Sequence, residues 1–360
     1  TTRLVGSEMC IRDSIMGFAS FVVAVCGLWP SAVTDAAAAS MSHVAWDGFA
    51  HHDTIFPLFL FIAGVSFPYS VAKQRAGGMS EGRIYAKIVR RGLTLVVLGM
   101  VYNGLFKLDF ENLRIASVLG RIGLAWSIAA VLYLNFGVKT RAAIAVAVLA
   151  GYGALSALVA APDAAGAGPL TFEGNLAGYI DRQFLPGKLI YGSFDPEGLL
   201  STVPAVVTAM LGMFTGEFVR RGDIRGGRKT LWMAAAAAAL LAAGLAFSGV
   251  LPVNKKLWSS TFVCVVGAYS LGMFALFYYL IDVRGWRRWT LFFRVVGLNS
   301  ITIYLAQRIV GFGRISDFFL GGIASKCPEA VAAVISSAGY VAVCWLFLYF
   351  LYRKNVFLKV

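Results

Sequence analysis

The sequence predicts an all-α polytopic membrane protein, a bundle of about ten transmembrane helices. Three observations predict it. Of the 360 residues, 59% are hydrophobic and only 14% are charged, where a soluble domain carries about 25% charged residues. Apolar stretches of the ~20 residues needed to cross a bilayer recur along the whole chain. Lys and Arg collect in alternate connections between those stretches, as they do in the cytoplasmic loops of membrane proteins.

In chain order, residues 1–14, TTRLVGSEMCIRDS, are polar and carry no signal-peptide pattern. The string VGSEMCIRDS resembles translated sequencing-adapter read-through, so this segment is read as a non-native or unstructured stretch without a role. The spans are expected at 15–33, 53–72, 84–105, 115–136, 142–161, 199–219, 230–250, 258–281, 289–312 and 329–352. The second opens with Pro57 in its first turns, where proline is tolerated. The run MAAAAAALLAAG at 233–244 reads as small-residue helix packing. The ninth holds Arg294, Asn299, Gln307 and Arg308. Residues 15–354 are read as one transmembrane domain and 355–360 as a cytoplasmic tail.

The net charge of +14, from 32 Lys+Arg against 18 Asp+Glu, would suggest nucleic acid in a soluble protein. Here its distribution assigns it to topology, and the expected partner is the lipid bilayer, with no nucleic acid. One set of loops holds Lys73, Arg83, Lys87, Arg90, Arg91, Arg220, Arg221, Arg225, Arg228 and Lys229, and the alternate set far fewer. The positive-inside rule then places both termini in the cytoplasm. Loop 34–52, without Lys or Arg, faces outward, as does loop 162–198 with Asp163, Glu173, Asp181, Asp195 and Glu197. The 5 cysteines are scattered and no Cys/His metal spacing exists, so no metal and no disulfide framework is expected.

All 3 histidines, His43, His51 and His52, lie in SHVAWDGFAHHDTIFPLFLFIAG. Imidazole is the side chain suited to moving a proton near neutral pH. Asp53, opening the next helix, could fix the tautomer of His43. The plainer reading is a solvated loop histidine beside an interfacial Trp46, with His51 and His52 as polar residues at a helix entrance. Arg114 and Arg121 are seven apart and share a helix face, Arg121 about two turns inside. A buried arginine costs at least ~2.5 kcal/mol even on insertion scales, so it calls for a partner or a ligand. Asn299 and Ser300 could bond a neighbouring helix or a substrate. Asp195 before Pro196 reads as a helix cap, and Lys255 and Lys256 as interfacial anchors or contacts for an anionic group. The basic clusters Lys87–Arg91 and Arg220–Lys229 serve either as topology signals or as phosphate sites.

Five stretches, HVAWDGFAHHDTIFPLFLFIAGVS, RIASVLGRIGLAW, FDPEGLLSTVPAVVTAMLG, VNKKLWSSTFV and GLNSITIYL, together resemble one family, in that family's order. It comprises the transmembrane acyltransferases typified by heparan-α-glucosaminide N-acetyltransferase, especially their bacterial members. The resemblance implies transfer of an acetyl group from cytosolic acetyl-CoA to an amino sugar or glycan across the membrane. It places the family's active histidine, in its H-x-x-W-x-G motif, on His43, and the acidic residue of the next helix on Asp53. Where the family has asparagine after the tryptophan, this chain has Asp47. The family's Ser/Leu-Asp-x-x-Arg-Gly motif has no counterpart here, because the 1–14 string occupies its place and Asp13 is out of register. A catalytic partner would then be missing, and the chain inactive as it stands.

The expectation is therefore an acyl-CoA-dependent N-acetyltransferase of the bacterial inner membrane, with a homodimer as the candidate assembly. His43 acts as general base or acetyl carrier and Asp53 orients it, while Trp46, Asp47, Arg121, Asp195 and Asn299 contact substrates. Acetylation of a hydroxyl on an exported polysaccharide stays open. The alternative, from another class, is a transporter or flippase for a sugar or lipid-linked precursor, since Arg121, Asn299 and Arg308 suit a polar pathway equally well.

Overall fold

The computed structural model describes residues 17–358, so the 1–14 segment and Asp13 lie outside the described residues. Among the described residues the chain forms fourteen α-helices and no β-strand. Seven helices are long and apolar enough to cross a membrane: His51–Ala76, Val118–Asn135, Val138–Leu158, Leu199–Arg220, Gly226–Ala246, Ser260–Val283 and Glu329–Arg353. The chain is a polytopic integral membrane protein. It divides into two units, one of residues 17–44, 50–55 and 280–358, the other of 45–49 and 56–279.

In the first unit, α1 (Gly17–Cys26) and α2 (Ala32–Ala39) precede the histidine segment. Ser31 caps α2 by accepting from the Thr34 N–H, while Thr34 reaches back to the Ser31 N–H at 2.8 Å. The remaining helices of this unit are α11 (Thr290–Gly297), α12 (Ser300–Ile309), α13 (Phe312–Ala324) and α14 (Glu329–Arg353). Val295, Val296, Ile303, Phe312, Cys344 and Leu348 form its core.

The second unit is a bundle of the helices between them. These are α3 (Ile55–Ala76), α4 (Glu81–Tyr102), α5 (Val118–Asn135), α6 (Val138–Leu158), α7 (Leu176–Phe184), α8 (Leu199–Arg220), α9 (Gly226–Ala246) and α10 (Ser260–Tyr278). With no hydrophobic drive between helices in lipid, close backbone approach does the work. The pair α3 and α8 shows it: a Cβ on Gly212 would sit 1.9 Å from the Phe61 carbonyl oxygen, and one on Gly216 2.2 Å from that of Val65.

Three of the ten expected spans take other forms. The first, at 15–33, is the ten-residue apolar helix α1 within the described residues. The third becomes α4, of spanning length but too basic over Arg83, Lys87, Arg90 and Arg91 for a continuous apolar window. It buries Ile84, Ile88 and Leu95 against α5, and a Cβ on Gly92 would meet the Ser127 hydroxyl at 2.3 Å. The ninth, 289–312, breaks into α11 and α12 at Gly297–Leu298–Asn299. Asn299 holds a non-helical conformation (φ −125°, ψ 26°) and is 1% exposed. That burial fits the rule that irregular backbone at membrane depth is tolerated only inside protein or along a cavity.

Candidate functional site

The first unit assembles a histidine–aspartate pair from a single stretch of chain. After α2 the chain loops through 40–50 into a 3-10 turn, His51–Thr54, that runs straight into α3. Asp53 lies in that turn with its side chain 3% exposed. Its Oδ1 meets His43 Nδ1 at 2.7 Å. Its Oδ2 accepts the N–H groups of Val44 at 3.4 Å and Ala50 at 3.3 Å. One buried carboxylate thus ties both ends of the loop and the imidazole together. A carboxylate at Nδ1 makes that nitrogen the proton-bearing one and leaves Nε2 as the base. The His43 side chain is 54% exposed, so the ring is open to a reactant. The His52 ring lies against it at 4.3 Å between centroids, inclined by 64°.

Asn299, also in this unit, accepts at Oδ1 from the Thr302 hydroxyl at 3.3 Å. Its buried Nδ2 has no hydrogen-bond partner among the described residues.

The second unit gathers its loops at one end. The strip 45–49 docks on loop 247–259: Gly48 N–H donates to the Val253 carbonyl at 2.8 Å, and Asn254 Nδ2 donates to Asp47 at 3.0 Å. Lys256 Nζ donates to the Ala45 carbonyl at 2.6 Å and lies 4.6 Å from the Tyr191 ring centroid. The Trp46 indole N–H donates to the Leu170 carbonyl at 2.9 Å, and its ring packs on Phe172 and Phe194.

Beside this aromatic nest is a buried charge network. Arg114 grips Asp195 with two parallel bonds of 2.7 and 2.6 Å and also reaches Glu197. Burial alone would lower the Arg114 guanidinium pKa, but the two carboxylates outweigh it and raise it. Asp195 in turn accepts the N–H groups of Ile190 and Glu197, which fold the DPEG loop around it. It does not cap α8. The cap comes from Asp181 on α7, whose Oδ1 accepts the Leu199 N–H at 2.9 Å. Arg121 stands in the first turn of α5, nearer the loops than the expected two turns inside, and is 2% exposed. It donates to the Pro196 carbonyl and the Ser201 hydroxyl, and lies over the Trp258 ring at 5.0 Å. Its Nε and Nη1 have no hydrogen-bond partner among the described residues.

Asp181 is the residue that sequence reasoning passed over. It is fully buried, and burial pushes its carboxyl up to about 6, against the pull of the Leu199 and Asp195 N–H donors. A folded-state pKa above the ordinary 3.8 means the folded protein holds a proton that the unfolded chain has released. Stability is therefore expected to fall as pH rises from about 4 to about 6 and to level off above, by on the order of 1–3 kcal/mol. Unfolding midpoints across that range should show the slope in the wild type and lose it in Asp181→Asn. An unchanged slope in the variant would assign it elsewhere.

Among the described residues no three His, Cys, Asp or Glu side chains gather as a metal-ligand group. Within the first unit the structure pairs His43 with Asp53 and puts Asn299 at the helix break. Within the second, Asp47 bonds the 247–259 loop, Trp46 packs on the 159–198 loop, and Arg121 and Asp195 stand around the DPEG loop.

Comparison with known proteins gives a consistent result. Residues 13–249 match the family described as Heparan-alpha-glucosaminide N-acetyltransferase, catalytic. The chain is 27% identical over 375 aligned positions to the heparan-alpha-glucosaminide N-acetyltransferase of Homo sapiens, covering 88% of this chain and 55% of that protein. It is 26% identical over 372 positions to that of Mus musculus, covering 88% and 56%. The chain spans about half the length of these curated relatives.

Proposed function

We propose, because the chain belongs to the heparan-alpha-glucosaminide N-acetyltransferase catalytic family, that it is a transmembrane acetyltransferase. Its donor is cytosolic acetyl-CoA, and its acceptor is an amine of a sugar or glycan at the extracytoplasmic face. The observation that carries this reading is the 2.7 Å pairing of His43 Nδ1 with buried Asp53. A neutral amine is needed to attack a thioester. His43 Nε2 takes the amine proton as nitrogen bonds to the acetyl carbon. The carbon–sulfur bond then breaks, and the thiolate leaves to be protonated. Asp53 holds the tautomer and stabilises the imidazolium. In the two-step variant Nε2 itself carries the acetyl group before the amine arrives.

The orientation follows from charge. In the second unit, strip 45–49 and loops 103–117, 159–198 and 247–259 meet at one end, joined by the pairs Arg114–Asp195, Trp46–Leu170 and Asp47–Asn254. Most of the basic residues, including Lys87, Arg90, Lys139, Arg220 and Arg225, sit towards the other end. We place that end in the cytoplasm of a bacterial inner-membrane protein. Exposed Lys87 and Arg90 are then better placed for CoA phosphates than Arg121, whose guanidinium is sealed in and engages Pro196 and Ser201. Arg121 and Asp195 become the frame of the loop end.

One observation favours the transporter reading. The helix break at Asn299, with its unbonded Nδ2, resembles the interrupted helices that line transport pathways. Radiolabelled acetyl transfer in proteoliposomes separates the two. Acetyl-CoA enclosed on the cytoplasmic side should label glucosamine supplied on the other side. Passage of unmodified sugar without label would favour transport.

A further inference from the structure

Helix α4 packs one face against α5, and the contacts fix how the two lie. Gly99 abuts Ser117 and Gly120, and Gly92 abuts Gly123 and Ser127. The Ser127 hydroxyl donates to the Ile88 carbonyl at 3.4 Å, and the Arg91 guanidinium lies over the Trp126 ring at 4.3 Å. The helices are therefore antiparallel, and residues 88–92 of α4 stand level with Trp126 and Ser127. In α5 (Val118–Asn135) these two are the middle of an apolar span. Each lies eight residues from the nearer end of that helix, about 12 Å of helix.

Arg90 is thus at mid-span. Arg91 turns inward onto Trp126, whereas Arg90 is exposed on the opposite side. There it lines a shallow groove of about 660 Å³ with Val89, Leu93, Thr94, Val97 and Leu98. A guanidinium facing lipid at that depth is costly unless an opposite charge or water reaches it. Snorkelling along the groove covers only part of the distance to the surface. The face supplies no counter-charge. Arg83, Lys87 and Arg90 share it at spacings of four and three residues. The acid of α4, Glu81, is engaged by Arg75 through bonds of 2.7 and 3.0 Å. No carboxylate lines the groove.

We propose that this groove is a binding site for one anionic phospholipid. Its phosphate sits on Arg90, and an acyl chain lies along Leu93 and Val97. Arg83 and Lys87 give the face between Arg90 and the start of α4 the sign that draws such a headgroup inward. Charge alone would let Lys87 and Arg90 take a phosphate from any source. Depth separates them. Lys87, nearer the start of α4, stays within reach of a soluble ligand such as acetyl-CoA. Arg90 is met from the lipid side, by a molecule with a long chain to fill the apolar lining. The site does not depend on the acetyltransferase reading.

The test uses the full chain in nanodiscs of phosphatidylcholine, alone or mixed with phosphatidylglycerol, followed by extraction and native mass spectrometry. Wild type should retain phosphatidylglycerol over phosphatidylcholine by at least about fivefold. Arg90→Leu should lose that preference and Arg90→Lys keep most of it. Lys107→Gln, in the loop at the other end of α4, should behave as wild type. Phosphatidylglycerol should also raise the unfolding midpoint of wild type by about 3 °C or more and leave that of Arg90→Leu unmoved. Equal retention by wild type and Arg90→Leu would overturn the proposal. Displacement of the bound lipid by acetyl-CoA would give the site to the donor instead. A dimeric wild type beside a monomeric Arg90→Leu would give the face to a second copy of the chain, and would equally overturn it.

Discussion

Asp53→Asn is expected to cut acetyl transfer by ~10²–10⁴-fold in a protein that still folds. The asparagine oxygen can go on accepting the Val44 and Ala50 N–H groups, so the loop keeps its shape. Facing Nδ1, however, the side chain then presents its amide N–H groups. That donor forces the proton off Nδ1 and onto Nε2, and the nitrogen that must accept the amine proton is already protonated. Removing the negative charge also withdraws support from the imidazolium. Initial rates in liposomes, with unfolding midpoints as the control for integrity, check this. A rate within fivefold of wild type would detach the pair at 2.7 Å from the chemistry.

Arg114→Met is expected to be the most damaging change in the second unit. The Asp195 side chain is fully buried and that of Glu197 only 13% exposed, and both face Arg114. Methionine fills part of the volume and leaves two carboxylates without their cation. Breaking a buried pair from one side costs about 3–5 kcal/mol, because the surviving charge stays desolvated. The DPEG loop, folded around Asp195, should loosen, and Arg121, which reaches Pro196 in that loop, loses part of its seat. Limited proteolysis should show new cleavage between 159 and 198 together with a lowered unfolding midpoint. Adding Asp195→Asn should recover part of the loss. Wild-type resistance in the single variant would mean that the network contributes little.

The residues explain which parts of this picture the sequence disclosed. His43 and Asp53 were readable because a loop and a helix start lie ten residues apart, so proximity needed no knowledge of tertiary structure. Seven spans were readable because each is an unbroken apolar run of membrane length. The break at 297–299 was not, since the apolar run continues across it and the signal is one Gly and one Asn. The need of Arg121 for partners followed from its burial, but they are the Pro196 carbonyl, which has no sequence signature, and the Ser201 hydroxyl, 80 residues away. Asp195 was read as a cap from its place just before α8. The actual cap is Asp181, on a separate helix and 18 residues from the N–H it accepts. Asp47 and Asn254 are 207 residues apart, and no spacing within one sequence joins them. His52 was set aside as a polar helix entrance, because nothing in its neighbours' identities reveals a ring packed edge-on against His43.

The most direct measurement is acetyl transfer from labelled acetyl-CoA to glucosamine in proteoliposomes, with wild type compared against His43→Ala. Both proteins are compared with and without a Ser/Leu-Asp-x-x-Arg-Gly segment in place of residues 1–14. The account predicts label on the sugar amine in the wild type and its loss, by at least a hundredfold, in a variant with unchanged helical content and melting midpoint. Equal labelling in the two proteins would contradict it.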